Sequence, residues 1–156
     1  MLPEFLCRGD VIGVASPSHI ATPEGYASVF EAIERMGFQV RAADNLYSAE
    51  WGYAASAEAR AADINQLIHD PAVKMIFFGG GEGADDLLPL IDYEAARSNP
   101  KLWLSYSDGT SILNTIHSKT GHRHKQISGL RTAGVITDPR NFQIQISRGR
   151  ENFQSL

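Results

Sequence analysis

Residues 73–83 read VKMIFFGGGEG. Five of the first six residues are apolar, and Asp70-Pro71 stands just before them as a break. A short apolar run bounded by turn residues is a buried strand, and the glycines after it mark where the chain leaves the sheet. Working outward, the same grammar repeats. VIGVA at 11–15 is a second apolar run, and it ends in the turn-forming Ser16-Pro17-Ser18. Phe38 to Ala42 and Lys101 to Tyr106 are two more strand candidates.

Helix signals fall between these strands. Thr22-Pro23-Glu24 is a helix start, with Thr22 as N-cap and Pro23 at the first helical position. Val29, Ile33 and Met36 follow at helical spacing, and Gly37 is the expected stop. Residues 56–69 are Ala-rich, with Ile64, Leu67 and Ile68 on one face. A short helix is expected from Ala84 to Leu90, then a turn at Asp92-Tyr93, then a last helix from Thr110 to Ser118. Alternating strands and helices predict an α/β fold, a parallel sheet with helices on both faces. In such sheets functional loops gather beyond the carboxyl ends of the strands. The loops 16–19, 79–83 and 106–109 therefore converge.

Composition bounds the function. Of 156 residues, 43% are hydrophobic and 21% charged, as in ordinary globular proteins. The net charge of −4 gives no general reason to expect a nucleic-acid partner. Cys7 is the single cysteine, so no internal disulfide forms, and it reads as a small apolar residue more readily than as a reactive thiol. No apolar run reaches the length of a membrane span, and the start MLPEFLCRGD is a poor signal peptide. A soluble, cytoplasmic protein is expected.

Charge is unevenly spread. Residues 1–121 hold 8 Lys and Arg against 16 Asp and Glu, whereas residues 122–156 hold 6 against 2. Alanine also falls away after Gly121, leaving only Ala133. The shift predicts two units, an α/β domain over 1–121 and a divergent basic tail over 122–156. FQIQI at 142–146 alternates as a half-buried strand would. The tail is expected to pack less tightly than the front, and to dock on its acidic surface or on a second copy of the chain.

Two segments can carry chemistry. Ser105-Tyr106-Ser107-Asp108-Gly109-Thr110 lies between a strand and a helix. A serine on such a turn stands above the sheet edge, and the helix behind it offers backbone N–H groups to an oxyanion. The same residues also make a good turn and helix cap. Gly79-Gly80-Gly81-Glu82-Gly83 permits close backbone approach to a phosphate or a developing oxyanion. It lacks the lysine of a phosphate loop and the dinucleotide fingerprint, and a flexible turn is the plain alternative.

Taken in order, these segments resemble the LD-carboxypeptidase and microcin-immunity serine peptidases across roughly residues 5–121. The matching pieces are Arg8-Gly9-Asp10-Val11-Ile12-Gly13-Val14-Ala15-Ser16-Pro17-Ser18, then Gly80-Gly81-Glu82-Gly83 with Leu87-Leu88-Pro89 and Asp92-Tyr93. Asn99-Pro100-Lys101 and Tyr106-Ser107-Asp108-Gly109-Thr110 complete them. The resemblance implies a flavodoxin-like fold related to class I glutamine amidotransferases. It implies Ser107 as nucleophile, and an oxyanion hole from the N–H of Asp108 and one from Gly80 or Gly81. Ser18, His19, Glu82 and Tyr106 would line the substrate pocket. The implied substrates are L,D-peptide bonds of muropeptides or a peptide–nucleotide antibiotic, with no metal or cofactor.

The chain departs from that pattern in two places. Ser105 stands where the family has glycine, which would tighten the turn. The family's Glu and His, the latter activating the serine, belong to a second domain that residues from His122 onward do not match. His117 lies ten residues after Ser107, about 15 Å along a helix, and His69 falls at the opposite end of the sheet. His122 and His124 lie further along the chain. Only His19 shares the edge of the serine. The expectation is a peptidase domain incomplete in this chain, whose partner is a peptide or muropeptide and a complementing second domain or second copy. The alternatives are a non-catalytic binding domain of the same fold, or a nucleotide or phosphate binder using 79–83.

Overall fold

The structure, a computed structural model, describes residues 6–50 and 53–121. The tail 122–156 and the strand expected within it lie outside the described residues. Strands β1 (Val11–Ala15), β2 (Gln39–Ala42), β5 (Val73–Phe78) and β6 (Leu102–Leu104) form one parallel sheet in the order β2-β1-β5-β6. This is the doubly wound order in which the chain reverses direction between its first and third strands. Here the reversal falls between β1 and β5. A short antiparallel pair, β3 (Ala49–Glu50) with β4 (Tyr53–Ala54), forms a separate two-stranded sheet.

Alternation along the strands explains why both faces are covered. Ile12, Val14, Met75, Phe77 and Leu104 point to one face, where Ala32, Ile33 and Met36 of α1 (Pro23–Arg35) and its flank cover them. Ala15, Ile76, Phe78 and Trp103 point to the other. There they meet Ile64, Leu67 and Ile68 of α2 (Ala57–His69) and Ile112, Leu113 and Ile116 of α4 (Thr110–Thr120). Each such side chain, fully buried, contributes about 1.5–3 kcal/mol.

The helix ends follow local chemistry. Thr22 accepts from the Gly25 N–H at 3.1 Å and Pro23 opens α1. At the other end Gly37 takes φ +89°, while Gly37 and Phe38 donate to the carbonyls of Glu34 and Ile33. That pairing is a Schellman stop, and only glycine adopts the left-handed turn without strain.

Two details differ from the sequence reading. Asp92-Tyr93 is not merely a turn: Asp92 caps the Ala95 N–H at 2.9 Å and starts α3 (Tyr93–Ser98). With six residues and one buried alanine, α3 is too short to show a period. The expected helix at Ala84–Leu90 is a 3₁₀ stretch that contains Pro89. At the end of the sheet away from the glycine loop, buried Lys101 donates to the carbonyls of Asp70 and Val73, both at 2.7 Å.

Candidate active site

Strand registers fix where the loops leave. Ala15 pairs with Phe78, and Leu104 with Phe77, so the chain exits β1, β5 and β6 at one edge. After β6 the backbone stays extended through Tyr106 and then turns sharply at Ser107, whose φ is +54°. Among the described residues Ser107 is the only non-glycine with positive φ. A left-handed conformation costs an L-residue about 1–2 kcal/mol, and such strain gathers at functional sites. A 3₁₀ turn, Ser107–Gly109, then feeds α4. Ser107 is exposed, whereas Ser105 and Gly109 on either side of it are buried.

Close packing beneath the turn explains its glycine. A Cβ at Gly109 would stand 2.1 Å from Ser105 Oγ and 2.9 Å from the Phe78 ring. Ser105 is thus wedged under the turn, and its hydroxyl is buried with no hydrogen-bond partner.

The glycine loop lies directly against this turn. A Cβ on Gly80 would be 2.6 Å from Ser107 Cβ and 2.8 Å from the Tyr106 carbonyl. On Gly81 it would be 1.9 Å from the Ser18 carbonyl oxygen, which also accepts from the Glu82 N–H at 2.8 Å. On Gly79 it would meet His19 Cε1 at 2.8 Å and the Tyr106 hydroxyl at 3.1 Å. Gly80 and Gly81 are needed here because other backbone lies against them, whereas Gly79 is met by side chains alone. Asp108 ties the two loops together, its carboxylate accepting from the Ala84 N–H at 2.8 Å.

Ser107, Gly80, Gly81, Ser18, Tyr106 and Asp108 are therefore brought together, with Glu82 on the exposed side of the loop. Ser18 is buried and its hydroxyl has no hydrogen-bond partner. His19 is close but turned elsewhere. Its Nδ1 lies 3.2 Å from Ser16 Oγ and its Nε2 3.0 Å from the Tyr26 hydroxyl, with the two rings stacked. Burial lowers its pKa, opposed by a bond to the Gly80 backbone. Neither nitrogen is bonded to Ser107. His69 pairs with Asp92 at 3.0 Å, and His117 stands in the last turn of α4.

The family model of the LD-carboxypeptidase N-terminal domain matches residues 12–126. The chain belongs to this family. A Vibrio cholerae protein named as a carboxypeptidase is 38% identical over 120 residues, covering 74% of this chain and 36% of its own length. The microcin C7 self-immunity protein MccF of Escherichia coli is 33% identical over 125 residues, 78% of this chain and 36% of its own. A solved MccF-like protein of Bacillus anthracis superposes with a TM-score of 0.76 at 32% identity, over 81% of this chain and 40% of that one. MccF itself has been solved with aspartyl sulfamoyl adenosine (TM-score 0.73, 32% identity, 80% of this chain and 38% of that one). The LD-carboxypeptidase match thus spans less than half the length of these relatives.

Sequence reasoning passed over Arg60. It is 5% exposed on α2, and its guanidinium donates to the carbonyls of Ala55 (2.7 Å), Pro17 and Gly83 (3.0 Å). The signal was present: Arg60 precedes Ile64, Leu67 and Ile68 by four, seven and eight residues, which places it on their face. Among the described residues no cluster of His, Cys, Asp and Glu is arranged to hold a metal, and no helix is long and apolar enough to cross a membrane.

Proposed function

We propose that residues 1–121 form the nucleophile-bearing domain of a serine carboxypeptidase acting on L,D-peptide bonds of muropeptides or of a related peptide antibiotic. The observation that carries this reading is the strained, exposed Ser107 with Gly80 pressed against it. In the reaction Ser107 Oγ bonds to the peptide carbonyl carbon, and the oxygen that gains charge is met by the N–H of Asp108 and that of Gly80 or Gly81. The C–N bond then breaks, the serine proton passes to the leaving amine, and water releases the acyl group. Ser18, His19, Glu82 and Tyr106 line the substrate side.

A serine hydroxyl needs a base to do this at neutral pH. His19 is engaged by Ser16 and Tyr26 instead, so the base comes from outside the described residues, as in the family's second domain. The test is labelling by a fluorophosphonate probe, expected when a separately made second domain of the family supplies the base and lost in Ser107→Ala. Turnover of an L,D-tetrapeptide should be near background for this chain and rise when a separately made second domain of the family is added. Strong unaided turnover, abolished by Ser107→Ala, would place the base within this chain. Ligand binding with no labelling under either condition would favour a non-catalytic binding domain.

A further inference from the structure

A buried guanidinium is weak ground for stability, since an apolar side chain of similar volume often serves as well. Arg60 also pairs with the Asp86 carboxylate at 3.8 Å, and that carboxylate is 67% exposed, so solvent weakens the pair. The position of Arg60 does, however, join three segments. Pro17 belongs to the loop after β1, Gly83 ends the glycine loop, and Ala55 leads into α2.

The Gly83–Ala84 peptide is the informative one. Its carbonyl accepts from Arg60 at 3.0 Å, and its N–H donates to the Asp108 carboxylate at 2.8 Å. Carbonyl and N–H of one peptide lie in a common plane, so a rotation that serves one end sets the other. Bonds in such a chain also polarise one another. Arg60 is thereby connected, through a single rigid unit, to the residue that follows Ser107. Its second bond holds Pro17, next to the Ser18 carbonyl against which Gly81 packs.

We propose that Arg60 is a positioning residue for the site, setting Asp108 through the Gly83–Ala84 peptide and holding the 16–19 loop against the glycine loop. Its catalytic meaning rests on the reading of Ser107 as nucleophile; the coupling from Arg60 to Asp108 does not. A planar fork is required, because an ammonium reaches fewer of these carbonyls at once.

Arg60→Met and Arg60→Lys, made in the full chain, test this by amide NMR and hydrogen exchange. In both, the Ala84 amide should exchange about tenfold faster and the Asp108 amide resonance should move. Strand amides of β1 and β5 should not respond. Ala95, whose N–H bonds the Asp92 carboxylate at 2.9 Å, is the matched control. With the second domain added, probe labelling of Ser107 should slow by a similar factor. If Arg60→Met does not fold, Arg60→Lys carries the test. Either folded variant with unchanged Ala84 and Asp108 amides overturns the proposal. So does unfolding of both, with no recovery when guanidinium ion is added to Arg60→Ala, since Arg60 would then serve stability alone. Should Ala84 and Asp108 respond while Ser107 of the parent chain is never labelled, the nucleophile reading fails and the positioning stands.

Discussion

Replacing Ser107 with glycine should make the protein more stable while removing the reactive hydroxyl. The left-handed backbone at φ +54° costs a residue bearing a Cβ about 1–2 kcal/mol. Glycine escapes that strain but loses more freedom on folding, which returns about 0.4–1 kcal/mol to the unfolded chain. Ser107 is exposed, so little packing is forfeited. The net gain should be about 0.5–1 kcal/mol, which raises the melting temperature of a domain of this size by about 2–5 °C. Ser107→Ala keeps the Cβ, hence the strain, and should melt close to the parent chain. Thermal unfolding of the three proteins, followed by circular dichroism side by side, measures this directly. A Ser107→Gly variant no more stable than Ser107→Ala would refute the claim that the turn stores strain, and would remove the main support for Ser107 as a displayed nucleophile.

Gly81→Ala should destabilise by about 1–3 kcal/mol, because its methyl would fall 1.9 Å from the Ser18 carbonyl oxygen and backbone must move. A denaturant midpoint equal to that of the parent would show that the two loops are not in contact. Ser105→Ala should instead stabilise by about 1 kcal/mol, since it removes a buried hydroxyl without a partner, and loss of stability would mean that the hydroxyl is bonded after all. Burial pushes the Lys101 amine down to about 8 from 10.5. Between those values the unfolded chain binds more protons than the folded one, so stability attributable to Lys101 rises with pH across that window. The rise should be present in the parent and absent from Lys101→Met, so that it appears in the difference between them, and identical pH profiles would discount the shift.

What the sequence made legible has a common physical basis. VIGVA and VKMIFF are largely buried on both faces of a parallel sheet, so they appear as near-continuous apolar runs, interrupted only by exposed Lys74. Thr22-Pro23 and Gly37 bound α1 because capping depends on the residues at the terminus itself. The antiparallel pair of β3 and β4 and helix α3 escaped notice because two-residue strands and a six-residue helix are held by their surroundings. Arg60 escaped for another reason. A charged residue in an Ala-rich helix reads as solvent-facing, and two of the carbonyls it meets, those of Pro17 and Gly83, are placed by how two distant loops fold.

The glycine loop and the Ser107 turn were legible as signals, and so was their convergence at one edge, but the closeness of their contact was not. Contact follows from register: Ala15 opposite Phe78 and Leu104 opposite Phe77 bring three loops to one edge, and a shift of one residue along β6 would carry Ser107 away from Gly80. Register in turn is held at the far end, where Lys101 at the start of β6 donates to the Asp70 and Val73 carbonyls at the start of β5. A buried amine with a depressed pKa is a costly way to join two strand ends. Its retention is understandable if the alignment it enforces is what sets Ser107 beside Gly80 at the opposite edge. Lys101 and Arg60 then have related tasks, one fixing the strands along their length and the other fixing the loops that leave them.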